Sequence, residues 1–315
     1  MKTIAAGIIA ALLCSGALAQ YPNKPVRMIV PFPPGGAADL TARIFSQPLS
    51  QALGQPVVIE HRPGADGAIA GDAVMKAAPD GYTLLFGTAT GMSAMPNLRK
   101  VRPYDPVADF TPVSLVGTFG FFFFAHPGIP VHTVQDLIGY ARANAGKINY
   151  GTGNLTSVVA TAQFASLQKL NMLHVPYKGD APATIDLLAG RVHVMLAAGG
   201  VMAQARDGRL RVLATMLDNR SPLAPDVPTL AEAGIPRLPI SPWGGLFGPA
   251  KMPKDITDRL ARDMAVVLAR KDVKEQLDKL AFEPRSSTPD ELRTWVRDQL
   301  DIWGRTIKEI GLPQE

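Results

Sequence analysis

The sequence has a single cysteine, Cys14, in 315 residues, and it falls within the first twenty. Past that segment there is no thiol to form a disulfide, a cysteine metal site or a cysteine nucleophile. The five histidines, His61, His126, His132, His174 and His193, show no metal-ligand spacing such as His-Glu-x-x-His. A Gly-x-Ser-x-Gly elbow and a Walker loop are missing, and Gly64, Gly67 and Gly71 lack the dinucleotide-binding spacing. These absences argue against an enzyme, and no catalytic residue, metal or cofactor is assigned. His174, ahead of Val175-Pro176-Tyr177 in a strand pattern, reads as structural. Long apolar runs are lacking too: residues 192–198 are apolar but far short of the roughly 20 residues of a membrane span, and read as a buried strand. Charge of one sign is scarce. The balance of 32 Lys and Arg against 27 Asp and Glu gives a net charge of +5 with no basic stripe, which excludes nucleic acid as the expected partner. There is no internal repeat or low-complexity stretch, which disfavours a structural or adhesive array.

The N-terminal residues carry an export pattern. Lys2 supplies a positive start, residues 4–13 an apolar run, and Ala17-Leu18-Ala19 small residues at the cleavage-determining positions. This is the layout of a signal peptide over residues 1–19, cleaved after Ala19, which predicts a periplasmic protein. The run is too short to anchor the chain across a hydrocarbon core of about 30 Å. Leu13 precedes Cys14 where lipidation requires a small residue.

Strand and helix patterns then alternate, which predicts an α/β fold. Val26-Arg27-Met28-Ile29-Val30 reads as a strand, residues 31–36 as a Pro/Gly turn, and residues 37–53 as a helix closed by Gly54. A strand over residues 57–60, a glycine-rich turn over 64–71 leading into a helix up to Ala78, and a strand over 82–86 with a loop over 87–91 complete the first stretch. The grammar repeats with strands at 121–125, 148–150, 174–177, 192–196 and 211–214, and helices at 134–144, 155–167 and 182–188. Residues 255–268, 271–280 and 289–310 read as helices that return to the first half. Crossings near residues 116–121 and 241–246 would divide the chain into one lobe of residues 20–120 and 243–315 and a second of residues 121–242, with a hinge between them.

Several motifs carry a family resemblance. The opening Tyr21-Pro22-Asn23-Lys24-Pro25-Val26 runs into Val30-Pro31-Phe32-Pro33-Pro34-Gly35-Gly36, followed by Asp39 and Ala42-Arg43. Pro79-Asp80-Gly81-Tyr82-Thr83-Leu84, His174-Val175-Pro176-Tyr177-Lys178-Gly179 with Pro182-Ala183, and Pro225-Asp226-Val227-Pro228-Thr229 follow in order. Together they resemble the Bug-type extracytoplasmic solute receptors of tripartite tricarboxylate transporters, over essentially the whole chain after residue 20. The resemblance implies a two-lobed, type II-like periplasmic binding protein that closes on its ligand as a flytrap. It also implies a small carboxylate ligand, a membrane permease pair as partner, and a monomer. A receptor that reports to a membrane sensor kinase needs the same closing lobes and is the alternative.

The loops that follow strands offer a carboxylate clamp. Phe32, Gly35, Gly36 and Ala37 lie where a Pro/Gly turn opens a helix, whose free amides and positive dipole end suit an anion. Thr88 and Ala89 follow another strand. Thr152, Gly153, Asn154, Thr156 and Ser157 repeat the device in the second lobe, and Ala198 follows the strand over residues 192–196. Asp39 is assigned to ordering the first loop rather than to touching an anion.

Two departures from the family bear on the ligand. The family's His-Leu and later Glu are absent from Leu155-Thr156-Ser157-Val158-Val159-Ala160-Thr161-Ala162. Ala197-Ala198-Gly199-Gly200 replaces its Phe-Asp. The loss of acidic groups argues against a ligand with an amino group and for an organic acid with an apolar body, aromatic acids included. Phe121 to Phe124 read as a strand buried on both faces rather than as a stacking wall.

Overall fold

The computed structural model describes residues 21–314; the export segment and Cys14 lie outside the described residues. The first stretch runs β1 (Val26–Val30), α1 (Ala37–Leu53), β2 (Val57–His61), α2 (Ala68–Met75), β3 (Thr83–Thr88), α3 (Met95–Leu98) and β4 (Phe110–Phe119). The middle runs β5 (Phe121–Ala125), α4 (Val134–Ala143), β6 (Asn149–Thr152), α5 (Leu155–Leu167), β7 (Leu173–Pro176), α6 (Asp180–Leu188), β8 (Val194–Ala198), α7 (Met202–Arg206) and β9 (Arg211–Thr215). The chain ends with β10 (Trp243–Pro249), α8 (Lys254–Ala269), α9 (Lys271–Asp278), β11 (Phe282–Pro284) and α10 (Pro289–Glu309).

Two sheets result. One has the order β11-β4-β10-β3-β1-β2, the other β7-β6-β8-β5-β9. β1 is parallel to β2 and β3, and β6 is parallel to β7 and β8. β5 and β10 run antiparallel to their neighbours. The parallel strands put the starts of α1, α5 and α6 at their carboxyl ends, the edge where ligands enter open α/β sheets.

Local chemistry explains the boundaries. Gly36 precedes α1 in an extended conformation, and Gly54 closes it in a left-handed one at φ 71°, with its amide donating to Ser50 O at 3.0 Å. Thr133 and Asp136 form a reciprocal capping box on α4, as Thr288 and Glu291 do on α10. The strands β3, β5, β8 and β10 are buried throughout, the burial that long apolar runs such as Phe121-Phe122-Phe123-Phe124 imply.

Between the sheets the chain crosses at Gly120, whose amide donates to Ala281 O at 2.6 Å. A Cβ there would press on that same carbonyl. The return crossing lies alongside, since the Phe119 amide donates to Pro242 O at 2.7 Å. α8 and α10 then pack back on the first sheet: Arg259 reaches Ala52 O, and Asn97 donates to Leu300 O.

Three local expectations are corrected. α2 begins at Ala68, inside the stretch read as a turn; Gly71 lies within that helix, at a place where a Cβ would strike the Tyr104 ring. Gly87 and Thr88 belong to β3, and residues 90–94 form a π-helical turn, so the region read as a loop is ordered and buried. Gly151 and Thr152 likewise belong to β6. β4 and β11 were not legible, because Pro112, Ser114 and Gly117 interrupt the one and the other has three residues. No helix among the described residues is long and apolar enough to cross a membrane.

Candidate functional site

A cavity of about 100 Å³ opens between the two sheets. A single water needs roughly 10–15 Å³ by this measure, so the space holds several waters or a small organic molecule. Its walls come from both halves. The β1–α1 connection gives Phe32, Pro33 and Pro34, and α1 opens on it with Gly36, Ala37 and Ala38. Thr88, Ala89 and Thr90 follow from β3. The second half gives Gly153, Asn154 and Thr156, then Lys178, Gly179, Asp180, Ala181 and Pro182, with Ala198 at the end of β8. Phe119, Phe121, Pro242 and Trp243 stand where the chain crosses between the sheets.

Three helices of eight or more residues start on this cavity, α1, α5 and α6. First-turn amides have no partner within their own helix, so each start offers N–H donors and the positive end of a dipole. The Gly36 N-cap has no side-chain cap, and a Cβ there would meet only Pro33 O at 3.8 Å. The α1 amides are therefore unobstructed by a side chain at the cap.

Asp39 holds the first loop in shape. Its Oδ2 accepts from the Gly35 amide at 2.8 Å, and its Oδ1 contacts His61 Nε2 at 2.7 Å and accepts from Arg43 Nε at 2.9 Å. Burial pushes this carboxyl up, but the bonds from Arg43, Gly35 and His61 together outweigh it and hold it below the usual carboxylate range.

Thr88 is 6% exposed, and its Oγ1 has no hydrogen-bond partner among the described residues. A buried hydroxyl left without a partner costs about 1–3 kcal/mol, and this oxygen is closed off from solvent although its residue lines the cavity. Thr90 and Thr156, from opposite walls, bring their hydroxyls to 3.4 Å.

Of the residues expected to hold a ligand, Phe32, Gly36, Ala37, Thr88, Ala89, Gly153, Asn154, Thr156 and Ala198 line the cavity. Gly35, Thr152 and Ser157 do not. The Gly35 amide is turned to Asp39. Thr152 Oγ1 is engaged with His174 Nε2 at 2.6 Å on the neighbouring strand, and burial pushes the His174 imidazole below its ordinary value. Ser157 donates through Oγ to Asn154 O at 2.9 Å, and its amide donates to Asn154 Oδ1 at 3.0 Å, so it serves the cap of α5. Phe122, Phe123 and Phe124 are core, while Phe121 is buried and also faces the cavity.

The sequence reading missed the α6 entrance. Lys178 and Asp180 are the charged residues among those lining the cavity. Asn154 Nδ2 donates to Asp180 Oδ1 at 3.0 Å. Loss of water around it pushes the Asp180 carboxyl up to about 6, against the opposing effect of the Asn154 bond. Contrary to the expectation of a cleft without acidic groups, Asp180 supplies one from the loop that opens α6. The strand–loop–helix order of residues 173–188 was the available signal, being that of residues 149–167.

Comparison with known proteins agrees with this geometry. The sequence model of the "Tripartite tricarboxylate transporter family receptor" matches residues 41–312. The chain is 36% identical to Protein BugT of Bordetella pertussis, across 92% of this chain and 90% of that protein. It is similar in structure to Rpa4515 of R. palustris, solved with adipate: TM-score 0.89, 32% identity, 92% of this chain and 98% of that one. It is also similar to MatC (Rpa3494) of Rhodopseudomonas palustris with bound malate: TM-score 0.83, 29% identity, 91% and 100% of the two chains.

Proposed function

The chain belongs to the tripartite tricarboxylate transporter receptor family, and is thus a periplasmic solute-binding receptor of two-lobed α/β fold rather than an enzyme; on that premise we propose that its cargo is a small carboxylate. The observation that carries this reading is the convergence of the α1 and α5 starts on one cavity lined by Thr88, Thr90 and Thr156. Amides and hydroxyls can bind a carboxylate strongly while the cleft is closed and dry, and release it when water returns. That suits a carrier, which must give its cargo up. The adipate and malate held by relatives of the same fold support the same ligand class.

In this reading, residues 1–19 are removed after Ala19 on export. Residues 20–120 with 243–315 move as one lobe and residues 121–242 as the other. The loaded monomer presents the carboxylate to a membrane permease pair. A thermal-shift screen of ligand-free protein beginning at Gln20 tests it, with aliphatic di- and tricarboxylates, acidic amino acids and aromatic acids. A ligand at about 100 times its Kd adds about 2.7 kcal/mol, a shift of several degrees. A shift with a carboxylate supports the proposal; a folded, empty protein that responds to none refutes it.

A further inference from the structure

The cavity carries one acid in a place where a plain carboxylate receptor has no use for it. Asp180 is the first residue of α6 and lines the wall across from α1. Its Oδ1 is fixed by Asn154 Nδ2, whose own Oδ1 is occupied by the Ser157 amide. Its second oxygen has no protein partner among the described residues, and Asp180 makes no ion pair there either. Gly153 is what lets it approach: a Cβ at that position would collide with the Asp180 carboxyl and with the backbone of Gly179 and Asp180. The carboxyl is thus held by built contacts rather than drifting at a surface.

We propose that Asp180 is a specificity-determining residue that makes this receptor select carboxylates bearing an ammonium group, that is, amino acids, over the corresponding simple acids. The inference rests on the reading of the cavity as a carboxylate site. A carboxylate left in low dielectric without a counter-charge is costly, and a ligand's ammonium supplies the missing charge. The upward push on its pKa reflects the same unpaired state. Close to Asp180 a ligand carboxylate would be repelled, so the acid end is left to the α1 and α5 amides and the Thr88 hydroxyl, with the amino group toward α6.

Calorimetric titration of the ligand-free protein with pairs differing only in the amino group tests this: succinate and aspartate, glutarate and glutamate, adipate and 2-aminoadipate. The amino member of the best-binding pair should bind at least about tenfold tighter, which is about 1.4 kcal/mol. Asp180→Asn keeps an acceptor for Asn154 and removes the charge; Asp180→Ala removes both and guards against a misfolded first variant. In whichever folds, the preference should vanish. Simple acids binding as tightly as their amino partners in the wild type, or a preference that survives in both folded variants, would overturn the inference while leaving the carboxylate reading intact. Simple acids gaining affinity in Asp180→Asn without any amino preference in the wild type would overturn it as well. If no acid of either kind binds, the carboxylate reading itself fails and takes the inference with it.

Discussion

Thr90 Oγ1 and Thr156 Oγ1 face each other at 3.4 Å, one from the turn after β3 in the first half and the other from α5 in the second. That separation exceeds the usual 2.5–3.0 Å of a hydroxyl–hydroxyl bond, so the pair meets across the cavity without saturating either group. With Thr88, whose hydroxyl has no partner among the described residues, three threonines line the cavity.

Replacing Thr88 with Val should therefore act oppositely on the two states. In the ligand-free protein it removes an orphaned hydroxyl, and the melting temperature should stay level or rise. In the complex it removes a donor, and affinity should fall by about 0.5–1.5 kcal/mol. Melting curves with and without ligand, together with titration, measure both. A loss of stability with unchanged affinity would place the hydroxyl outside the site.

Gly153→Ala should destabilise the protein by about 1–3 kcal/mol, because the new methyl meets backbone atoms of Gly179 and Asp180 that cannot swing aside. Affinity should drop with it, since the α6 start is displaced. Gly200→Ala is the control: a Cβ there meets nothing within 4 Å and should be nearly neutral. Equal denaturation midpoints for the two variants would contradict the packing described.

Thr152→Ala and Ser157→Ala are expected to lower stability while leaving affinity close to wild type, because their hydroxyls serve His174 and Asn154 rather than the cavity. The cost should be about 0.5–1.5 kcal/mol for Thr152, which is 2% exposed but whose partner His174 is exposed and can turn to water. Paired chemical denaturation and titration check this; a large affinity loss at unchanged stability would return both residues to the site.

Acid should loosen the first loop. The Asp39 carboxyl is held below its ordinary value in the folded protein, so its contribution is fully present above the unfolded value of about 4 and is lost as pH falls through the folded value. Asp39→Asn lacks this contribution at every pH. Its stability should fall less steeply than the wild type's between pH 5 and acid conditions, in melts followed by circular dichroism. Parallel curves for the two proteins would show that Asp39 does not titrate in this way.

Much of this architecture was legible in the residue pattern. β1, the helix closed by Gly54, the Thr133 cap and the three C-terminal helices all rest on local signals: apolar periodicity, a left-handed glycine, a capping residue. β4 was not, because its strand character comes from pairing with β10 and β11 rather than from its own Pro- and Gly-interrupted sequence. The cavity divides the same way. Gly36, Ala37 and Asn154 are legible as cavity residues because each stands at a helix start that follows a strand, and Thr88 because it ends one. Asp180 was hidden because its place depends on the β6–α5 and β7–α6 connections meeting across Gly153, a contact between segments that the sequence pattern does not record. Thr152 and Ser157 carry the same local signal, yet their hydroxyls are engaged with His174 and Asn154, because hydroxyls near a helix start can serve the cap or a neighbouring strand.

The central claim is that a carboxylate sits at the start of α1, and Gly36→Asp tests it most directly. The backbone there is extended, a Cβ has room, and Asp is a favourable N-cap, so the variant should fold and melt at or above the wild-type temperature. It should nonetheless lose at least about tenfold in affinity for whichever carboxylate the wild type binds, about 1.4 kcal/mol or more, because a fixed negative charge occupies the anion's approach. Wild-type affinity in a folded Gly36→Asp protein, read by calorimetric titration, would contradict the account and move the carboxylate away from α1.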